Sequence, residues 1–504
     1  MKRVIPAAWI ATLMVCGPAL ASDVTDADGL ALVNRLSWGA SARIPDGLSA
    51  LQWLDQQLHP SQDDGLPQQV QARIDAMDIS HAPLTDIAAQ LRELQLQIRA
   101  ARDRGKDTKA ARMPYQQMLV KLALEAQTRS LLRDLYSRNQ LKERLDWFWL
   151  NHFNVYARKR EIGGLIGDFD ETAIRPHVLG KFRDLLASTV FHPAMIQYLD
   201  NQQNAAGKIN ENYAREIMEL HTMGVGSGYT QKDVQELARI LTGVGVNMSG
   251  RPRRFARFAR AAYRTNVGDG GLFEFIPKRH DYGDKVFLGH TIKGSGLDEV
   301  RQAIDILASQ PATARHISTE LAQYFCCDAP SEALVDAMSA AFLKSDGDIA
   351  AVLRTLVASP QFAASLGKRF KDPMQWTVSA LRASFGDRVI TNMLPVAQML
   401  NRLGEPLYGH ETPDGYSMTK AAWAGPGQMQ TRFEIARQIG AGAPRLFMGG
   451  DDGVMTASRP PALDQTAYFR SLRLADATRA AIAQGASQVD RNMLFLSSPD
   501  FMRN

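Results

Sequence analysis

Along most of the chain apolar residues recur at three- and four-residue spacing, the period of a helix with one buried face. Thr85 to Ala101 and Gln116 to Tyr136 carry this pattern on either side of the charged stretch Arg102 to Arg112, and predict a long antiparallel helical hairpin over Thr85–Tyr136. A third helix, from about Leu141 to Tyr156, is crowded with Trp147, Phe148, Trp149, Phe153 and Tyr156. Further helices are expected across the rest of the chain, among them Glu211–Met223, Gln231–Thr242, Val300–Ala308, Pro311–Phe325 and Pro373–Ser384. Strand signals are sparse. Phe273 to Ile276 and Lys285 to Ile292 predict one small β-ribbon around the turn Tyr282-Gly283-Asp284. Strand and helix do not alternate, which argues against an open α/β sheet. The expectation is a mainly α fold: one large multi-helix domain over residues 22–504, with an ordered loop or lid at Gly404–Gly427 and a loose segment at Gly440–Pro461.

The first residues change the picture of where the protein works. Lys2 and Arg3 precede a mostly apolar run, Val4 to Val15, and Ala19-Leu20-Ala21 fits the small-x-small cleavage rule. The run is shorter than the roughly 20 residues of a spanning helix. It reads as a signal peptide over residues 1–21, cleaved near Ala21, giving a periplasmic or secreted protein. Removal leaves 483 residues and lowers the formal charge from +5 to +3, a balance that implies little. Two cysteines then remain, the adjacent Cys326 and Cys327, so no disulfide framework supports the fold.

Candidate chemistry gathers in a few segments. On a helix over Glu211–Met223, Glu211, Asn212, Arg215, Glu216 and Glu219 share one half, and Tyr213, Ile217, Met218 and His221 the other. Glu211, Arg215 and Glu219 stand four apart, the spacing of an ion-pair ladder. This half is either a solvated face or one wall of a cleft. In the second case Glu216 or Glu219 is a general base, and Arg215 or Asn212 orients an anionic or carbonyl group. The zinc-helix and di-iron spacings are absent, because neither His-Glu-x-x-His nor Glu-x-x-His occurs here. Gly224, Gly226 and Gly228 join two helices and read as turn chemistry. Thr230 with Asp233 reads as a capping box. His152, on the aromatic helix, and His280-Asp281, in the turn of the expected ribbon, are candidate ligands for a divalent metal together with His221, or proton shuttles. The equally simple alternatives are a core histidine and an Asx-type turn. The stretch 251–264 holds six arginines and no acid. Arg251, Arg253, Arg254, Arg257 and Arg260 are candidate contacts for anionic lipid or polysaccharide outside the cell, where nucleic acid is not expected.

Several of these segments, in register, resemble the bacterial family catalogued as domain of unknown function 1800. They are LVNRLSWG (Leu32 to Gly39), FWLNHF (Phe148 to Phe153), FHPAMIQYLDNQQN (Phe191 to Asn204), the Glu211 helix through DVQELARILTG (Asp233 to Gly243), HDYGDKVFLG (His280 to Gly289), KDPMQW (Lys371 to Trp376), GEPLY (Gly404 to Tyr408) and LSSPDFM (Leu496 to Met502). Leu150, Val244 and Tyr416 depart from the family pattern, which carries a second histidine, an aromatic and a tryptophan there. The resemblance implies an exported, mainly helical protein with a sulfatase-like exported partner, and supplies no reaction or cofactor. The reading that follows is a cell-envelope hydrolase or metal-assisted enzyme. The alternative is a non-catalytic binding or assembly protein.

Overall fold

The aromatic helix predicted near residue 147 is the axis of the molecule. In the computed structural model, which describes residues 26–39, 49–249, 271–386, 388–448 and 459–504, it runs Gln140–His152 and is buried on nearly every side. A helix buried all round must find interior partners for its polar residues. Glu143 pairs with Arg175, which also holds Asp64 at 2.6 Å. The Arg144 guanidinium lies between the faces of Trp38 and Tyr324, at 4.6 and 4.5 Å from their centroids. Trp147 stacks on Tyr324 with centroids 5.6 Å apart, which fixes the Pro311–Phe325 helix against the central one.

The hairpin is present as helices Leu84–Asp103 and Lys109–Tyr136, turning at Gly105. Ile87, Leu91 and Leu122 seal the two helices together, while Leu96, Met113 and Val120 stay exposed. The second helix starts earlier than its apolar periodicity suggests, because Lys109–Met113 form a solvated first turn with no core to mark it. His192 caps the helix Pro193–Tyr198 by accepting the Ala194 N–H at 3.1 Å.

The small strands pair differently from expectation. Phe273–Phe275 lies antiparallel to Val244–Val246, with Val244 opposite Phe275. Lys285–Phe287 instead folds back on His290–Ile292 through Leu288-Gly289, both at positive φ, the two-residue turn that matches strand twist. Among the described residues two two-stranded sheets therefore stand in place of the one ribbon, and Tyr282-Gly283-Asp284 lies outside both.

No helix among the described residues is long and apolar enough to cross a membrane. Residues 1–21 and 251–264 lie outside the described residues, and with them Arg251, Arg253, Arg254, Arg257 and Arg260. So does 449–458, the middle of the expected loose segment.

Candidate functional site

His152 is the last residue of the central helix and only 7 % exposed. Its Nδ1 meets Glu320 Oε2 at 2.6 Å, and its Nε2 faces the backbone carbonyl of His221 at 3.2 Å. Both ring nitrogens therefore face acceptor oxygens. Glu320 and His316 stand four apart on the Pro311–Phe325 helix, with His316 Nε2 at 3.2 Å from the Leu220 carbonyl and 3.6 Å from Glu320 Oε1. Burial alone would raise the Glu320 carboxyl. The charges of His152 and His316 and the His152 hydrogen bond outweigh it and hold the group below the usual glutamate range.

The Glu211–Glu219 helix supplies the third side. It ends four residues before the periodicity suggests, because the chain widens into bonds reaching five residues back: His221 N–H to Glu216 C=O at 3.1 Å and Met223 N–H to Met218 C=O at 2.9 Å. The wider turn swings His221 into the core at 1 % exposure, against His152 (centroids 6.0 Å) and Phe153 (5.1 Å). Its Nε2 has no hydrogen-bond partner. Burial, then the neighbouring charges of His152 and His316, push the imidazole far toward neutral.

The four candidate catalytic residues of this helix divide. Arg215 closes the ladder, 3.4 Å from Glu211 and 3.1 Å from Glu219, and also donates to Gln231 Oε1 at 2.7 Å. Glu219 further accepts from Tyr229 OH at 2.7 Å. Asn212 is exposed, its amide 3.4 Å from the Leu199 carbonyl. Glu216 is half-buried and lies near Asp414 of the loop after Gly404. Burial, then the Glu219 and Asp414 carboxylates, raise its carboxyl above the usual range, with Arg215 opposing.

That loop roofs the site. Asn151 grips it like a base pair, donating from Nδ2 to the Tyr416 carbonyl at 2.9 Å and accepting the Tyr416 N–H on Oδ1 at 2.7 Å. Asn154 holds the carbonyls of His410 (3.1 Å) and Thr412 (2.7 Å), and Tyr198 OH that of Glu411 (2.7 Å). Gly415 passes so close to the Asn151 carbonyl that a Cβ there would stand 2.3 Å from the oxygen, and its φ of +68° disfavours any other residue. Beneath the roof is a cleft of about 60 Å³. His152, His316 and Glu320 form its floor, Asp414 and Tyr416 its rim, and Phe148, Leu220 and Met418 its apolar sides.

The expected site residues do not all converge. His280 is fully buried elsewhere, with Nδ1 2.8 Å from the Thr242 carbonyl and Nε2 2.9 Å from Glu299, which also pairs with buried Lys285. Asp281 clamps Arg239 at 2.8 and 3.2 Å, and that guanidinium brings its carboxyl down to about 2. Both join the Gln231–Ile240 helix to the following loop and neither lines the cleft. Among the described residues no group of three or more His, Cys, Asp or Glu side chains is arranged to hold a metal ion. His316, Glu320, Asp414 and Tyr416 were not among the expected site residues. A histidine and a glutamate four apart, beside a face of Ala314, Ile317 and Leu321, are the signal that points to the first two.

A larger concavity lies elsewhere. A shallow groove of about 640 Å³ runs along the Lys109–Tyr136 helix, past Met77, Val120 and Leu124, and contains no histidine.

The chain belongs to the family described as protein of unknown function (DUF1800), which matches residues 31–503. No curated protein and no solved structure shows significant similarity to it.

Proposed function

We propose that this protein is an acid–base hydrolase that acts outside the cytoplasm on a cell-envelope substrate, with Glu216 and the His152–Glu320 pair handling the protons. One observation carries the reading: the His152–Glu320 imidazole–carboxylate pair floors a cleft with Asp414 on its rim, and the Asp414 carboxylate helps push a further carboxyl, Glu216, in the opposite electrostatic direction. Glu320 is kept ionised by His152, and Glu216 is pushed toward its protonated form. Two carboxyls driven apart at one site can serve one as base and the other as acid. Glu320, oriented by His152, takes a proton from an attacking water, and Glu216 donates to the leaving group. The lining residues include no lysine or arginine, and Asp414 adds negative charge to the rim. The cleft therefore favours a neutral or ammonium-bearing group over an anion. Its volume admits little more than a water and the reacting group, so substrate enters with the Gly404–Met418 loop displaced.

The test is incubation of the purified chain with isolated envelope material, with released fragments read by mass spectrometry. Glu320→Gln and Glu216→Gln are run beside it after their melting curves are matched to the parent. Fragments that disappear in both variants support the proposal. No release by the parent chain, or release indifferent to both substitutions, overturns it.

The binding or assembly reading rests on a different observation, the apolar groove with Val120 58 % and Leu124 40 % exposed. There the protein would seat a partner such as the sulfatase-like exported protein, with the arginine-rich stretch meeting anionic lipid or polysaccharide. Val120→Asp would abolish capture of that partner, while Glu216→Gln would leave it intact.

A further inference from the structure

The Pro311–Phe325 helix that carries His316 and Glu320 ends in two adjacent cysteines, both with free thiols. The N–H groups of Cys326 and Cys327 both point back to the Ala322 carbonyl, at 2.8 and 3.2 Å, so one tight turn directs both side chains. Arg35 fixes that turn from outside the helix, donating from Nη1 to the carbonyls of Phe325 (2.9 Å) and Cys326 (3.1 Å). The Cys327 thiol donates to Cys326 Sγ across 3.0 Å. Cys326 is wholly buried, and Cys327 is partly exposed with Gln361 Nε2 at 3.4 Å from its sulfur.

We infer that Cys326 and Cys327 form a dithiol that exchanges with external disulfides, opening and closing a bond between neighbouring residues. The surroundings favour a thiolate on the inner sulfur. The Cys327 hydrogen bond, then the Ser365 hydroxyl and the Arg35 and Arg369 guanidinium charges, bring Cys326 to about 7 against the opposing effect of burial. At rest the charge stays on Cys326, and the Cys326 hydrogen bond and burial push the Cys327 thiol up. The exposed Cys327 reacts through the minor form in which the shared proton has passed to Cys326, and its thiolate attacks one sulfur of R–S–S–R, expelling RS⁻. Cys326 gives up its proton to that leaving thiolate and attacks Cys327 Sγ, expelling the second RS⁻. The dithiol loses two electrons, the external disulfide gains them, and the shared proton leaves as RSH. Neighbouring Cα atoms stand about 3.8 Å apart, short of the usual disulfide span, so the closed form is strained and readily reopened by thiols.

The experiment uses the full chain with Cys16→Ser, so that only these two thiols remain. The folded protein is treated at neutral pH with 5,5′-dithiobis(2-nitrobenzoate), an aromatic disulfide. Exchange followed by ring closure releases two thionitrobenzoate anions per chain and leaves a protein lighter by the two thiol hydrogens, reversible with a phosphine. Cys326→Ser, added to this chain, releases one and keeps a stable adduct. A chain that retains thionitrobenzoate on either cysteine, or does not react while folded, overturns the inference, and the mass of the Cys16→Ser chain alone decides it if Cys326→Ser does not fold.

Discussion

If the loop after Gly404 is the roof of the site, Asn151 is its latch, and removing the latch must loosen the roof without unfolding the molecule. Asn151→Ala deletes the bonds at 2.9 and 2.7 Å to the two backbone groups of Tyr416. A net hydrogen bond contributes about 1 kcal/mol, so the docked loop loses about 2 kcal/mol, or more where Tyr416 stays shielded from water. At 1.4 kcal/mol per tenfold, that is about a 30-fold larger population of the open loop. The ties from Asn154 and Tyr198 to His410, Glu411 and Thr412 remain and prevent complete release. Native-state hydrogen exchange read by mass spectrometry measures the change directly. Peptides covering 409–418 should exchange about 30-fold faster, while those from the Leu297–Ala308 helix stay unchanged. A change of less than about threefold in the loop would refute the latch. Equal acceleration in both places would show that Asn151 supports the whole core and not the roof.

Three further outcomes follow from the same geometry. Glu299→Gln strands the buried Lys285 charge and the bond from His280, at a cost of about 3–5 kcal/mol. The urea midpoint should fall far more than for Asp298→Asn on the exposed surface. Because the folded Glu299 carboxyl is lowered, this stabilisation is present above the ordinary carboxylate range and fades as pH falls through the lowered value. Equal midpoints for the two variants would refute it. Lys371 is buried beside Ser379 and over the Phe501 ring, and burial, then Arg432 and Arg144, bring its amine down to about 7. The unfolded chain therefore binds the extra proton between about pH 7 and pH 10, and folding stability gains as pH rises across that window. Lys371→Met should be the more stable protein near pH 7 and lose that advantage toward pH 10, and a gap that does not change with pH would contradict this. Glu216 should accept carbodiimide, which labels protonated carboxyls, at higher pH than an ordinary glutamate carboxyl does. Asp414→Asn should move that labelling to lower pH, and an unmoved midpoint would exclude the proposed coupling.

Helices were legible where one face alone meets the core. The Pro311–Phe325 helix starts and stops where its periodicity and leading proline indicate. The capping box of Thr230 and Asp233 opens the next helix as its residues suggest. Legibility failed where tertiary packing overrides the local pattern. The Glu211 helix stops at Glu219 because His221 is drawn into a pocket of rings from the central helix, and no local residue marks that exit. Phe273–Phe275 finds its partner across the arginine-rich stretch, a pairing that local alternation cannot report.

The site poses a harder problem, because its chemistry depends on environments and not on residue types. Glu216 and Glu219 are the same residue three positions apart on one helix, and periodicity places both on the polar half. Glu219 is ion-paired with Arg215 and hydrogen-bonded by Tyr229, and so is committed to tying its helix to the turn that leads into the next. Glu216 faces the loop, with the Asp414 carboxylate near it and Arg215 turned to other partners. The surroundings of Glu216 drive its carboxyl upward, the direction a proton donor needs. His152 shows the same dependence across 168 residues of sequence, since its role is set by Glu320 on a helix brought to it by aromatic stacking of Trp147 on Tyr324. A substitution that disturbs this stack, such as Trp147→Leu, should therefore act on the site by moving Glu320, leaving His152 in place and its partner displaced.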